Sequence, residues 1–454
     1  MQKTLTRNQP TNNRPIHVCC DHSEAFFLSD KQRDQVLTVD ANKVVNDVIE
    51  QLYKKGTVQS KTQTDLFKSF YEPLKAGVKE GYNLKAEYGT PNYEMLKQLQ
   101  TNTAIFSIFK SHACVKEIGA LLKDNDGNRR SKQDFINEAL KVDKTYRKDW
   151  LGTEYDTAVR SCRMATVWQK AQETKRLYPC VEYIPSRAAN PRQDHIKYYG
   201  LVFRLDDPIL NTIWPPNGYL CQCGMRPTDK EPTDIPHDLP LPDEHFRFNP
   251  GKTGQVFDIE NSGYIKSVPP ADQPALIKQA KTIVNNEMAL EADYQSVYKA
   301  KSGGTVEVHP LAFNNTDFKE VLVTARELAN FGEQVKVLPD IQDPALRKAF
   351  VIPGAKPNKS PDYLITGTYA TDLKTVFINS IDAVKEAVGR CNKQCNNIAL
   401  KIDRDNYISS HDLQRAVKGK LSHAGYDDWQ MLWIFFNGDW KSFTRQEILE
   451  GSWF

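Results

Sequence analysis

The apolar residues of this 454-residue chain change their spacing twice, and that change limits which folds it can adopt. From about 41 to 175 they recur at helical intervals, as in Leu66, Phe67, Phe70, Tyr71 and Leu74, then Leu96, Leu99, Ile105, Phe106, Ile108, Phe109, Val115, Ile118, Leu121 and Leu122. After Pro179 they shorten to strand-like runs such as Tyr198, Tyr199, Leu201, Val202 and Phe203, interrupted by Asp206-Asp207-Pro208 and Trp214-Pro215-Pro216-Asn217-Gly218. Residues 227–243 carry Pro227, Pro232, Pro236, Pro240 and Pro242, a spacing that excludes helix and reads as an extended strap closing a domain. A bridging helix is expected from about 274 to 300, and beyond it helix and strand alternate. No single fold class holds all of this: the expectation is an α+β multidomain chain. It has a mostly helical N-terminal region (1–90), a small irregular α+β module (91–226), the strap and bridging helix (227–304) and a C-terminal α/β domain (305–454).

Local signals refine the pattern. Asp124-Asn125-Asp126-Gly127-Asn128 resembles the start of a calcium loop, but Phe135 stands where the bidentate glutamate belongs, so a turn is expected. Thr153-Glu154-Tyr155-Asp156 has the form of a capping box that would start a helix. Asn249-Pro250-Gly251-Lys252-Thr253-Gly254 lacks the first glycine of a phosphate loop and reads as a turn. His17-Val18-Cys19-Cys20-Asp21-His22 offers soft and imidazole ligands, though adjacent cysteines share one tetrahedral site poorly.

Composition narrows the function. Charged residues make up 26% of the chain and hydrophobic ones 40%, with a formal charge of +3, so bulk electrostatics point to neither nucleic acid nor membrane. Nine cysteines without a small secreted framework suit free or metal-bound thiols in a reducing compartment. No segment approaches eighteen apolar residues, so no membrane anchor is expected, and the N-terminus lacks the apolar stretch of a signal peptide.

The stretch PDYLITGTYATDLK, residues 361–374, carries the chemistry. Asp362 and Asp372 suit a Mg²⁺ ion, and Lys374 suits orientation of an attacking water or stabilisation of developing negative charge in phosphodiester cleavage. Glu320 is the candidate extra acid from the preceding helix. Gln394, before the strand Asn397–Ile402, is the candidate contact to a scissile phosphate or base. Lys385, Arg390, Lys393, Lys401, Arg404, Arg415, Lys418 and Lys420 supply positive charge around them.

The predicted order from Phe318 onward, αβββαβ, is that of the restriction-endonuclease-like nucleases. Residues 305–445 also resemble the tRNA-cleaving toxin domains of contact-dependent inhibition proteins. That resemblance rests on Phe318-Lys319-Glu320, Val335-Lys336-Val337-Leu338-Pro339, Pro361-Asp362-Tyr363-Leu364-Ile365, Asp372-Leu373-Lys374, the Gln394 region with Ile398-Ala399-Leu400, and Leu413 to Lys420. It implies a metal-dependent ribonuclease acting on structured RNA such as tRNA, with an immunity protein as a candidate partner. A metal-independent, barnase-like alternative would use His309 and His411.

A second resemblance covers roughly residues 95–230. Phe106-Ser107-Ile108-Phe109-Lys110, Trp150-Leu151-Gly152-Thr153-Glu154-Tyr155-Asp156-Thr157-Ala158-Val159, and the series Arg192, His195, Gly200, Asp207-Pro208, Trp214 to Gly218 and Cys221-Gln222-Cys223 resemble the Mu F-like minor head proteins of tailed phages. The resemblance implies a role in head morphogenesis, portal and capsid proteins as partners, and residence in the virion after assembly in the host cytoplasm. A purely structural virion protein with an inactive C-terminal domain is the alternative. Cys221, Cys223 and His195 are candidate ligands for structural Zn²⁺, with Cys180 or an aspartate as the fourth, or else buried groups packed beside Trp214.

Overall fold

The computed structural model describes residues 41–342, 347, 350–403, 408–451 and 453. The motif at 17–22 lies outside them. Packing divides the described residues into two compact units, one of 41–84 with 98–281 and the other of 85–97 with those from 282 onward. Among the described residues no helix is long and apolar enough to cross a membrane.

The first unit is built on helices α1 (Ala41–Lys55), α2 (Ser60–Gly81), α3 (Pro91–Ala120, from Gln98 onward), α4 (Lys132–Lys144) and α5 (Leu151–Glu173). The helically spaced residues Leu66, Phe67, Phe70, Tyr71 and Leu74 are all buried, as their interval requires. Asp124 closes a turn by accepting from the backbone N–H groups of Asp126 and Asn128 at 3.0 and 2.8 Å. The expected start at Thr153 is not a start. A π-helical segment, Thr145–Trp150, joins α4 to α5, so the backbone is already helical before Thr153 and leaves no open first turn for a cap to satisfy.

Strands β1 (Cys180–Ile184), β2 (Val202–Arg204) and β3 (Gly224–Thr228) form an antiparallel sheet in the order β2-β1-β3. Its core gathers Trp168, Tyr183, Tyr198, Phe203, Trp214 and Met225. The proline-rich stretch 227–243 does not close a domain. It runs inside this unit, tied down where Val202 N–H donates to Thr233 Oγ1 at 2.9 Å, where the Tyr198 hydroxyl donates to the Pro240 carbonyl, and where Leu239 packs on the core. Proline removes backbone donors, so the stretch is tied through acceptors, the Pro240 carbonyl among them, and through its neighbours. Asn249 caps the short turn Pro250–Thr253, whose Gly251 lies directly against Trp168, and the segment forms no phosphate cradle.

Helix α6 (Gln273–Leu290) is shorter than expected, because Gln295–Lys299 forms strand β4 and pairs antiparallel with β5 (Thr305–Val308). The second unit continues with α7 (Phe318–Phe331), β6 (Gln334–Val337), β7 (Tyr363–Ile365), β8 (Tyr369–Val376), α8 (Ile381–Cys391), β9 (Ile398–Ile402), α9 (Ser410–Leu421), β10 (Met431–Phe436), β11 (Asp439–Thr444) and α10 (Arg445–Glu450). Among the described residues the elements from Phe318 to Ile402 run helix, three strands, helix, strand, and Arg347, between β6 and β7, is also helical.

All eight strands form one mixed sheet, ordered β11-β10-β9-β8-β7-β6-β5-β4. β6, β7 and β8 meander antiparallel, while β9 lies parallel to both β8 and β10. The parallel pairs need helical crossovers, which α8 and α9 supply. Helices therefore cover both faces: α7 packs over Leu373, Ala399 and Trp433, and α8 and α9 over Ile398, Leu400, Leu432 and Ile434. Burial on two faces is why β9 and β10 read as nearly continuous apolar runs. β10 returns into β11 through Asn437 and Gly438, both at positive φ, the geometry a two-residue hairpin turn demands.

Candidate functional site

β7 and β8 bring the first group of predicted site residues together. Their pairing matches Tyr363 with Thr371, so one step further along the ladder Asp362 faces Asp372. The Asp362 carboxylate accepts from Leu373 N–H at 2.6 Å, and the Asp372 carboxylate is near enough to repel its charge. Two residues on, Lys374 forms an ion pair with Asp372 and donates to the Leu373 carbonyl at 2.9 Å. Asp372 is 3% exposed, whereas a quarter of the Lys374 side chain reaches solvent.

Burial pushes Asp362 well above the ordinary carboxylate range, and the charge of Asp372 adds to the rise. Asp372 is also raised by burial, with Lys374 pulling it back. Burial opposes the Lys374 charge, but the Asp372 carboxylate outweighs it and the ammonium pKa rises. Two facing carboxyls with one ammonium share protons readily, and a divalent cation relieves the same repulsion.

Glu320 does not join them. Side chains alternate along a strand, so Asp372 and Lys374 point to the α8 face with Ala370 and Val376, and Leu373 and Thr375 to the α7 face. Glu320, on α7, meets β8 through Thr375, whose hydroxyl donates to Glu320 Oε1 at 2.7 Å. On that second face Asp317, Lys319, Glu320, Val323 and Lys401 line an open cleft of about 450 Å³. Lys401 is held there by Glu327 at 2.8 and 3.0 Å. Asp317 is a cleft residue that sequence reasoning missed; its signal was an acid just before the first residue of α7.

Gln394 lies past the end of α8. Its backbone bonds to Lys356 and Cys391, and among the described residues no hydrogen bond links its side chain to Asp362, Asp372, Lys374 or Glu320. His309 is buried, its Nδ1 accepting from Leu311 N–H at 3.2 Å, and His411 is an exposed residue of the first turn of α9.

The first unit holds the second group. His195 sits on the short turn Gln193–Ile196, and Cys221 and Cys223 follow the Trp214–Gly218 bend into β3. His195 Nδ1 is 3.6 Å from each sulfur. Among the described residues this is the one place where three His, Cys, Asp or Glu ligand atoms gather within 4.8 Å. A hydrogen bond from Cys223 holds the Cys221 thiol well below its usual range while burial works against it, and Cys223 rises correspondingly. Cys180 is not among them, because β1 places it opposite Arg204 and Thr228, at the far end of the strand from the Ile184–Gly224 pair beside Cys223. The surrounding bends are fixed by Arg192, which donates to the Tyr219 carbonyl at 3.1 Å and packs so tightly on Gly218 that a β-carbon there would lie 2.2 Å from the guanidinium. Arg160 of α5 donates to the Cys221 carbonyl at 3.2 Å.

The motifs at 106–110 and 150–159 meet in the same unit, where Lys110 and Glu154 form an ion pair. Comparison with known proteins finds two partial matches. A 76-residue segment is 32% identical to the putative capsid assembly protein F of Escherichia phage Mu, covering 17% of each chain. A 112-residue segment is 27% identical to the Mu-like prophage FluMu F protein of Haemophilus influenzae, covering 25% of this chain and 26% of that one. Part of this chain is homologous to Mu F-like capsid assembly proteins. The homologous segments span about a quarter or less of either relative. No family model and no solved structure matches the chain.

Proposed function

We propose that this chain is a minor head protein of a tailed phage or prophage, acting in head assembly beside portal and capsid proteins and remaining in the virion. The similarity to the capsid assembly protein of phage Mu carries this reading. Co-expression of the full chain with the portal and major capsid proteins of its own genome tests it. The chain is expected to sediment with assembled heads, and its exclusion from them overturns the reading.

The facing of Asp362 and Asp372 beside Lys374 supports a second activity in the C-terminal unit, metal-dependent cleavage of nucleic acid on a restriction-endonuclease-like framework, with structured RNA as the expected target. Two carboxylates with raised proton affinity form a donor set that suits Mg²⁺, which commonly takes one or two carboxylates and keeps its remaining positions for water and phosphate. Asp362 and Asp372 would hold the ion, which supplies Lewis-acid polarisation of a phosphoryl oxygen. Lys374, partly exposed, stabilises developing negative charge, and the Leu373 N–H fixes the Asp362 carboxylate. Incubating the full chain with tRNA and duplex DNA, in Mg²⁺ or in EDTA, separates the readings. Cutting that needs Mg²⁺ and disappears in Asp372→Ala supports the metal nuclease, cutting that persists in EDTA favours a barnase-like site, and no cutting leaves a structural virion protein.

A further inference from the structure

We infer that His195, Cys221 and Cys223 form a structural zinc site that pins the irregular part of the first unit together. Spacing is the first support. In an extended segment residues two apart share a face, so Cys221 and Cys223 present both sulfurs to one side while Gln222 turns away. The turn at 193–196 brings His195 Nδ1 to 3.6 Å from each. Tetrahedral zinc with bonds of about 2.3 Å to sulfur and about 2.0–2.1 Å to imidazole nitrogen places those ligand atoms roughly 3.5–3.6 Å apart. The geometry is therefore that of two edges of a zinc tetrahedron.

A hydrogen bond does not explain it as well. Nδ1 has either one proton or one lone pair, directed along a single line in the ring plane, and so pairs well with one sulfur rather than two at equal distance. A central cation satisfies all three atoms at once.

The surroundings suit a metal. All three ligands are under 8% exposed. Trp214, Tyr183 and Tyr198 pack around the two cysteines in the same core. Asn217 Nδ2 donates to the Tyr183 hydroxyl at 2.8 Å, but its Oδ1 is buried without a hydrogen-bond partner. That acceptor suits a water in the fourth position, which no fourth His, Cys, Asp or Glu of the described residues fills. The chain between β1 and β3 contains only three residues of strand, β2, and short turns, and a cross-link among its bends replaces the regular hydrogen bonding it lacks.

The test uses the full chain, purified under reducing conditions and dialysed against excess zinc and then against metal-free buffer. One equivalent of zinc per chain by atomic emission is expected, falling to background in Cys221→Ser and Cys223→Ser and unchanged in Cys180→Ser. Because the serine variants can misfold, Co²⁺ replacement in the unaltered chain provides a second readout, with thiolate-to-cobalt charge transfer and tetrahedral ligand-field bands expected. A folded, reduced chain that takes up no zinc, cobalt bound without thiolate bands, or zinc retained when both cysteines are replaced overturns the assignment.

Discussion

Lys110 and Glu154, forty-four residues apart on α3 and α5, form an ion pair from which water is excluded: their side chains are 0% and 6% exposed. The Tyr264 hydroxyl donates to the other Glu154 oxygen at 3.1 Å, and the rings of Phe70, Tyr146 and Tyr264 surround the ammonium at 5.0–5.8 Å. Removing one partner strands a buried charge, so Lys110→Met or Glu154→Gln alone should cost about 3–5 kcal/mol, whereas Lys110→Met with Glu154→Leu should cost far less. Urea unfolding of the three variants measures both. Single and double variants of equal stability would show that the pair is not coupled as its geometry requires.

Helices α2 and α5 touch backbone to backbone at Gly81. A β-carbon there would lie 2.3 Å from the Val159 carbonyl oxygen and 2.7 Å from Cys162 Cβ, a clash that rotamer change cannot relieve. Gly77 meets the Tyr155 ring at 3.2–3.3 Å, where a small shift suffices. Gly81→Ala should destabilise by about 1–3 kcal/mol, more than the roughly 1 kcal/mol that alanine gains as a helix former. Gly77→Ala should be near neutral. Thermal melts of the pair would show it, and equal melting temperatures would mean that the helices separate at no cost.

Particular residues show how much of this was legible in sequence. Ile398-Ala399-Leu400 and Leu432-Trp433-Ile434 announce buried strands because both faces must be apolar. Asp362, Asp372 and Lys374 lie close together because a short turn forces β7 back along β8. Glu320 meets β8 through Thr375 rather than Asp372, because its side of the sheet depends on the alternation along β8, which a sequence motif does not encode. β4 is not legible as a strand, because Gln295–Lys299 has no apolar alternation of its own and becomes a strand only when β5 offers it an edge. The Lys110–Glu154 pair was invisible for a related reason: two charges on separate helices look like solvated faces until the helices pack.

Metal addition gives a prediction independent of any substrate. A ligand that binds only the folded chain stabilises it by about 2.7 kcal/mol at a hundredfold excess over its dissociation constant. Mg²⁺ should therefore raise the melting temperature of the chain, and EDTA should return it to its starting value. Asp372→Asn should abolish the response, while Glu320→Gln, on the other sheet face, should retain it. A Mg²⁺ response surviving in Asp372→Asn would place the cation elsewhere.

The facing acids also fix a pH dependence in the absence of metal. Burial raises Asp362 well above its unfolded value of about 3.9, with Asp372 adding to the rise. Below about pH 4 the folded and unfolded chains both hold this proton. As pH rises, the unfolded chain releases it first while the folded chain retains it, so stability falls until the folded pKa is passed. An asparagine side chain at this position carries no such titration, and its amide oxygen can still accept from Leu373 N–H. Asp362→Asn should therefore be more stable than the unaltered chain at pH 7–8 in EDTA, with the advantage shrinking to nothing near pH 4. Denaturant midpoints across that range measure it, and an advantage that stays constant with pH would mean that Asp362 is not the group whose proton burial retains.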